Sequence, residues 1–381
     1  MSPPRTLISG LLATLTVCGL AVGPSTAAGR DHTRTRAAMT AMVEHGEGPG
    51  AVAHVEDGTG TWRGTAGIGD RATGRPRLAD DRFRIGSLTK PFVATVLLQL
   101  EAEGRLRLDD PVGRWLPEER LGGYGAAVGR QSGAVTLRQL LGHTSGIADY
   151  TADPAWRRRY FSPAFLSHRT DSHTPQALVA RSLARPPLFR PGSRWAYSNT
   201  NYVLAGMVIE RATGHRYATE IERRVLRPLK LRDTSLPGTS PRIPGPHAHA
   251  YSTLFASGGN PAVRDVTSLD PSLAGASGEM ISTGRNLVRF VRALVRGELL
   301  PPRQLREMET TRRAGSSERY GLGLTERTLT CGVTVWGHEG TIHGSRSAAF
   351  TTLDGTHTAA FNVNGDWSDG TRALVEAEYC G

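Results

Sequence analysis

Lysine is nearly absent from this chain. Of 46 basic side chains in 381 residues only two, Lys90 and Lys230, are lysine, and the other 44 are arginine. Cysteine is scarce too, at Cys18, Cys331 and Cys380. No run after Val22 is apolar enough to cross a membrane, which excludes a span in the body of the chain. Blocks of basic residues with interleaved aromatics are missing, so the net charge of +11 does not point to nucleic acid. No G-x-S-x-G elbow occurs, which disfavours an α/β-hydrolase. His247 and His249 stand two apart, with no carboxylate or cysteine following at ligand spacing, so no metal site is expected there. Internal repeats and low-complexity tracts are lacking as well.

What is present suits a folded, soluble protein, with 38% hydrophobic and 21% charged residues. The length allows one large domain, or a domain with an inserted lobe. Residues 1–28 read as a secretory leader: Arg5 precedes the apolar run Leu7 to Val22, and Ser25, Ala27 and Ala28 offer a cleavage site. Cys18 falls inside the apolar run. Cleavage would leave a secreted chain of charge +10, suited to anionic cell-wall polymers. It would also leave two cysteines, Cys331 and Cys380. In an oxidising compartment these suggest a disulfide tying the C-terminus to a strand, with two free thiols as the alternative.

Periodicity alternates between β and helical along the chain. "TRAAMTAMVEHG" has helical spacing, and "GAVAHVEDGTGTWRGTAGIG" reads as a hairpin around "EDGTG". "FRIG" reads as a short strand before an apolar helix from Ser87 to Leu100, ended by Gly104 and "LDDP". Residues 110–284 hold helical pieces such as "TLRQLLGH", "TPQALVARSLA" and "NYVLAGMVIERATG" between Pro/Gly-rich loops. "GRNLVRFVRALVRG" is amphipathic, β character returns from Tyr320, and "TRALVEAEY" closes the chain as a helix. The expectation is an α/β architecture of the α+β sandwich type: one antiparallel sheet built from both termini (34–109 and 285–381), flanked by helices, with a mainly helical lobe inserted at 110–284. A cleft between sheet and lobe is the default site.

Ser87 and Lys90 stand at i and i+3, on one helix face. A serine hydroxyl becomes a nucleophile when a neighbouring base takes its proton. Burial and the helix N-terminus can lower a lysine pKa enough for that work, whereas arginine cannot deprotonate. That is a reason to keep a lysine here; the alternative is chance spacing, with Ser87 a helix cap. Tyr197-Ser198-Asn199 precedes another helix, so a phenol and a carboxamide can face the cleft, or form an ordinary loop. His338-Glu339-Gly340-Thr341 follows a β run; it offers a protonatable side chain and a glycine for close approach, or simply a bend. His143-Thr144-Ser145-Gly146 reads as a structural turn near the cleft.

Together, S-x-x-K, Y-x-N and H-x-G resemble the penicillin-recognising serine enzymes. Most narrowly, "FRIGSLTK", "TLRQLLGHTSGIADY", "YSNTNYVLAGMVIE" and "GHEGTIHG" resemble the class C β-lactamase and secreted D-Ala-D-Ala carboxypeptidase branch. The resemblance runs from about residue 34 to the C-terminus and implies a β-lactamase/transpeptidase-like fold. It implies Ser87 as the acylated nucleophile, Lys90 as its base, Tyr197 as proton relay, and Asn199 holding Lys90 and the substrate amide. His338 takes the place of the lysine found in β-lactamases of this branch. The N–H groups of Ser87 and Thr341, beside Gly340, would form the oxyanion hole. The Cys331–Cys380 pair also resembles the disulfide of the secreted carboxypeptidases.

One departure concerns substrate carboxylate. The carboxypeptidases carry an arginine upstream of the cysteine strand; here Thr325 stands at that place and Arg327 two residues on, on the same strand face. The implied activity is removal of the terminal D-Ala from peptidoglycan peptides, without cofactor or metal, with β-lactams as covalent inhibitors. A β-lactamase or esterase using the same groups is the alternative within the family. A non-catalytic binder of cell-wall peptides is the alternative of another class.

Overall fold

The computed structural model describes residues 1–2, 4, 31–116, 135–256 and 261–381. The chain divides into two units, Met1–Asp31 and His32–Gly381. The leader expected over residues 1–28 lies, but for three residues, outside the described ones. Everything below concerns the second unit. Among the described residues no helix is long and apolar enough to cross a membrane.

Alternating β sequence from both ends of the chain forms one antiparallel sheet. Its strands are Gly50–Asp57 (β1), Gly60–Asp70 (β2) and Arg75–Pro76 (β3) from the N-terminal part. Two short pairs lie outside it: Phe83–Arg84 (β4) with Ile281–Ser282 (β7), and Tyr251–Ser252 (β5) with Arg264–Asp265 (β6). The C-terminal part adds Arg312–Arg313 (β8), Glu318–Tyr320 (β9), Thr325–Thr328 (β10), Thr334–Ile342 (β11), Ser345–Thr351 (β12) and Thr358–Val363 (β13). The order β3-β2-β1-β13-β12-β11-β10-β9-β8 seats the first strand beside the last, with Ala53 opposite Phe361. The sheet from both termini is therefore as the sequence predicts. "YGLGLTER" differs in detail: Gly321–Leu324 turns the chain, closed by Gly321 N–H to the Leu324 carbonyl at 2.8 Å, so the segment is a hairpin rather than one strand.

Helices Thr33–Glu44 and Gly370–Tyr379 cover one face, over a core of Met39, Val55, Phe350, Phe361 and Leu374. Helix Gly284–Val295 covers the other, against β1, β12 and β13. The helix Thr89–Ala102 is apolar nearly all round because it is enclosed nearly all round: Phe92, Val93, Val96 and Leu97 are fully buried. Phe92 stacks on Phe290 at 3.5 Å between centroids. Full burial of such a side chain contributes roughly 1.5–3 kcal/mol. This helix also packs on helix Asn199–Thr213 of the helical lobe.

Cys331 and Cys380 are bonded, with Cα atoms 5.7 Å apart and a sequence separation of 49. Cys331 sits in the turn between β10 and β11, not on a strand, and Cys380 caps the last helix. Closing a loop of that length stabilises by about 4 kcal/mol on chain-entropy grounds.

Candidate active site

The N-terminus of helix Thr89–Ala102 is preceded by a single 3-10 turn, Gly86–Leu88, which carries Ser87. Gly86 has φ +52°, and a Cβ there would meet the Thr341 carbonyl oxygen at 2.7 Å. Across the gap, a Cβ on Gly340 would lie 1.9 Å from the Ile85 carbonyl oxygen. Two glycines thus let β11 press against the serine turn, bringing Thr341 to the edge of the cavity that holds Ser87. The stretch 338–341 is strand, not bend, and β11 turns only after Ile342.

Lys90 is fully buried in the first turn of its helix. Its ammonium nitrogen donates to Ser87 Oγ at 2.9 Å, Asn199 Oδ1 at 2.8 Å and the Ser277 carbonyl at 2.8 Å. Burial brings its pKa down from 10.5 to about 7, opposed by the charge of Asp149. The neutral amine is therefore well populated near pH 7, and the nearby helix N-terminus favours the same direction.

Tyr197 lies with its ring centroid 4.8 Å from the lysine nitrogen. Burial pushes its pKa well up, while its interaction with the Ser87 hydroxyl draws it down. It remains a phenol at neutral pH and can only pass a proton on. Asn199 opens helix Asn199–Thr213; its side-chain N–H donates to Asp149 Oδ2 at 2.9 Å, which fixes the carbonyl end toward Lys90. Ser87, Lys90, Tyr197 and Asn199 thus come together from the N-terminal ends of two helices and the segments leading into them, far apart in sequence.

His338 is buried, and burial followed by the proximity of Lys90 takes its pKa to about 4. It is a neutral imidazole: Nδ1 faces the Glu339 carbonyl and Nε2 takes the Tyr320 hydroxyl at 3.0 Å. The ring therefore contributes hydrogen bonding and shape, without a positive charge.

Arg327 lines the same cavity, of about 370 Å³, as Ser87, His338 and Thr341. It is not a free cation. Its side chain is only 2% exposed, with Nε 3.0 Å from Glu318, one terminal nitrogen 2.8 Å from Glu318 and the other 2.7 Å from Glu339. Although burial pushes Glu339 upward, Arg327 holds its carboxyl below the ordinary value. Arg372 stands 3.7 Å from Glu318, so the cluster of two acids and two arginines carries no net charge.

Sequence reasoning missed Asp149, Ser277, Tyr320, Glu318 and Glu339. Asp149 stands within "TSGIADY", but nothing local says that it reaches Asn199, fifty residues on. Ser277 contributes a backbone carbonyl, which has no sequence signature. His247 and His249 face the Gly245 carbonyl and Asp265 respectively.

The Beta-lactamase family model matches residues 35–377. Among curated proteins, Esterase EstB of Burkholderia gladioli is 41% identical over 197 residues, covering 50% of this chain and 48% of its own. Penicillin-binding protein 4* of Bacillus subtilis is 31% identical over 185 residues, covering 49% and 37%. The chain thus spans half or less of the length of these two relatives. Among solved structures, the D-stereospecific amidohydrolase from Streptomyces sp. superposes with a TM-score of 0.84 at 50% identity, covering 92% of this chain and 99% of that one. Because the family model spans nearly the whole of the second unit, this chain belongs to the β-lactamase family of serine hydrolases, together with penicillin-binding homologues.

Proposed function

We propose that this chain is an acyl-transferring hydrolase that cleaves amides or esters of D-configured acyl groups through an ester on Ser87. The observation that carries the proposal is the Lys90 amine, held on Ser87 Oγ at 2.9 Å with a pKa of about 7. In acylation, Ser87 Oγ attacks the substrate carbonyl carbon as its proton passes to the neutral Lys90 amine. The Tyr197 phenol gives its proton to the leaving nitrogen or oxygen and is refilled from Lys90, so the bond breaks to a neutral leaving group. Water then repeats the sequence against the acyl-enzyme. Backbone N–H groups of Ser87 and Thr341 are suited to the developing oxyanion.

The choice of substrate rests on Arg327. A carboxypeptidase needs a cation for its substrate's terminal carboxylate, and Arg327 is already taken by Glu318 and Glu339. An uncharged leaving group fits that wall better. The half-identical Streptomyces relative is described as a D-stereospecific amidohydrolase, and EstB as an esterase, which support the same class. Release of D-Ala from peptidoglycan peptides is the second reading, favoured by the presence of Arg327 in the cavity at all. Secretion, with a cell-wall setting, belongs to the proposal on the strength of residues 1–28.

Three measurements test it together. Intact mass after benzylpenicillin should show one adduct on wild type and none on Ser87→Ala. D-phenylalanine amide should be cleaved in preference to its L-enantiomer, and to a D-Ala-D-Ala tripeptide with a free carboxylate. Faster release of D-Ala from the tripeptide would transfer the assignment to the carboxypeptidase reading; no adduct and no turnover would sink both.

A further inference from the structure

His143 belongs to a stretch that sequence assigns to a mere turn, yet its side chain is wholly buried beside the phenol of Tyr197. The rings lie 4.2 Å apart between centroids, tilted by 35°. The His143 carbonyl accepts the Ala196 N–H at 3.0 Å. Its ring Nδ1 accepts the Ser198 N–H at 3.2 Å and the Asn201 side-chain N–H at 3.1 Å. The backbone N–H groups of the residues before and after Tyr197 are therefore held by one residue.

The protonation of the ring follows from its partners. A backbone N–H is only a donor, so Nδ1 presents its lone pair and the neutral ring carries hydrogen on Nε2. Asn201 presents its N–H to this nitrogen while its Oδ1 takes the Ser145 hydroxyl at 2.7 Å. Nε2 is buried with no hydrogen-bond partner among the described residues, and the ring lies among those of Tyr197, Tyr202, Tyr320 and Trp195. Charging the ring would set two donors against each other, next to Lys90 and His338. Burial first, then those two groups, hold its pKa well below the ordinary value. His143 has a φ of 55°, in the left-handed region that glycine and asparagine also adopt.

We propose that His143 is the positioning residue of Tyr197, fixing the phenol in line with Ser87 and Lys90 through its carbonyl, its unprotonated Nδ1 and its ring face. The proposal rests on the reading of Tyr197 as proton donor to the leaving group. That reading supplies a readout which a purely structural role would not move. An amide needs a proton on its departing nitrogen, whereas p-nitrophenolate leaves without one.

The test compares His143→Ala and His143→Asn on D-phenylalanine amide and D-phenylalanine p-nitrophenyl ester, with sites counted by fluorophosphonate titration. In His143→Ala the amide kcat/KM, which reports acylation, should fall about tenfold further than the ester kcat/KM. Asparagine places an acceptor oxygen where Nδ1 stands and accepts the positive φ, so it should restore most of the amide rate. An equal fall for both substrates, or a folded His143→Asn enzyme that rescues nothing, overturns the proposal. Should wild type cleave neither compound, the functional reading fails separately. Nitrogen-15 NMR of labelled histidine then decides: a bare Nδ1 with protonated Nε2 upholds the grip, and a proton on Nδ1 overturns it. The same spectrum serves if His143→Ala does not fold.

Discussion

Between pH 7 and 10 the unfolding free energy of wild type should climb relative to that of Lys90→Met. Methionine is the apt replacement, since it keeps an unbranched side chain of similar length and removes the titrating amine. The folded pKa of Lys90 is about 7 against an ordinary 10.5. In that window the unfolded chain holds a proton on this side chain that the folded chain has shed. Stability therefore rises with pH, by about 1.4 kcal/mol per pH unit. Integrated over the full shift the gain is roughly 5 kcal/mol, since the group is fully buried and screening by water does not discount it. Below pH 7 both states carry the charge and the contribution is flat. Denaturant titrations of the two proteins at several pH values measure it, with the difference taken to cancel the titrating groups that Lys90 does not influence. The same amine should give the acid limb of kcat/KM, with half-maximal rate near pH 7. A pH-independent stability difference, or an acid limb absent from the neutral region, would refute Lys90 as the base.

The remaining predictions concern specificity and close approach. Replacing Glu318 and Glu339 together by glutamine should release Arg327, raising the preference for a D-dipeptide acid over its C-terminal amide by about tenfold in kcat/KM. An unchanged ratio in a folded double variant would show that Arg327 does not face the leaving group. Gly340→Ala should cost about 2 kcal/mol in unfolding free energy, as overpacking against rigid neighbours does. It should also remove most of the activity, since its Cβ would collide with the Ile85 backbone. Wild-type penicillin acylation in that variant would mean that β11 need not press on the serine turn.

Local sequence spelled out the parts whose chemistry is carried by spacing. S-x-x-K puts a hydroxyl and an amine one helical turn apart, here on the 3-10 turn and the first turn of the helix that follows it. The β-rich runs at both chain ends pointed to one sheet shared by the termini, and the glycine after His338-Glu339 marked close approach. The glycine's partner, Ile85, could not be read, because the contact joins a segment near the start of the chain to one near its end. His338 shows the same limit: its residue type was legible, its neutrality was not, since that comes from burial and from Lys90. Arg327 is the clearest case. Strand spacing put it on the right face, but Glu318 and Glu339 arrive only through the pairing of β10 with β9 and β11, and they decide whether its charge is available.

By itself, then, the amino-acid order determined the fold type and the pairing of Ser87 with Lys90, because helical and strand periodicities are local properties. Tertiary structure alone decided the protonation of Lys90 and His338, the capture of Arg327 and the grip of His143 on Tyr197. Those depend on desolvation and on hydrogen bonds between segments that meet only when the sheet and the helical lobe close on each other.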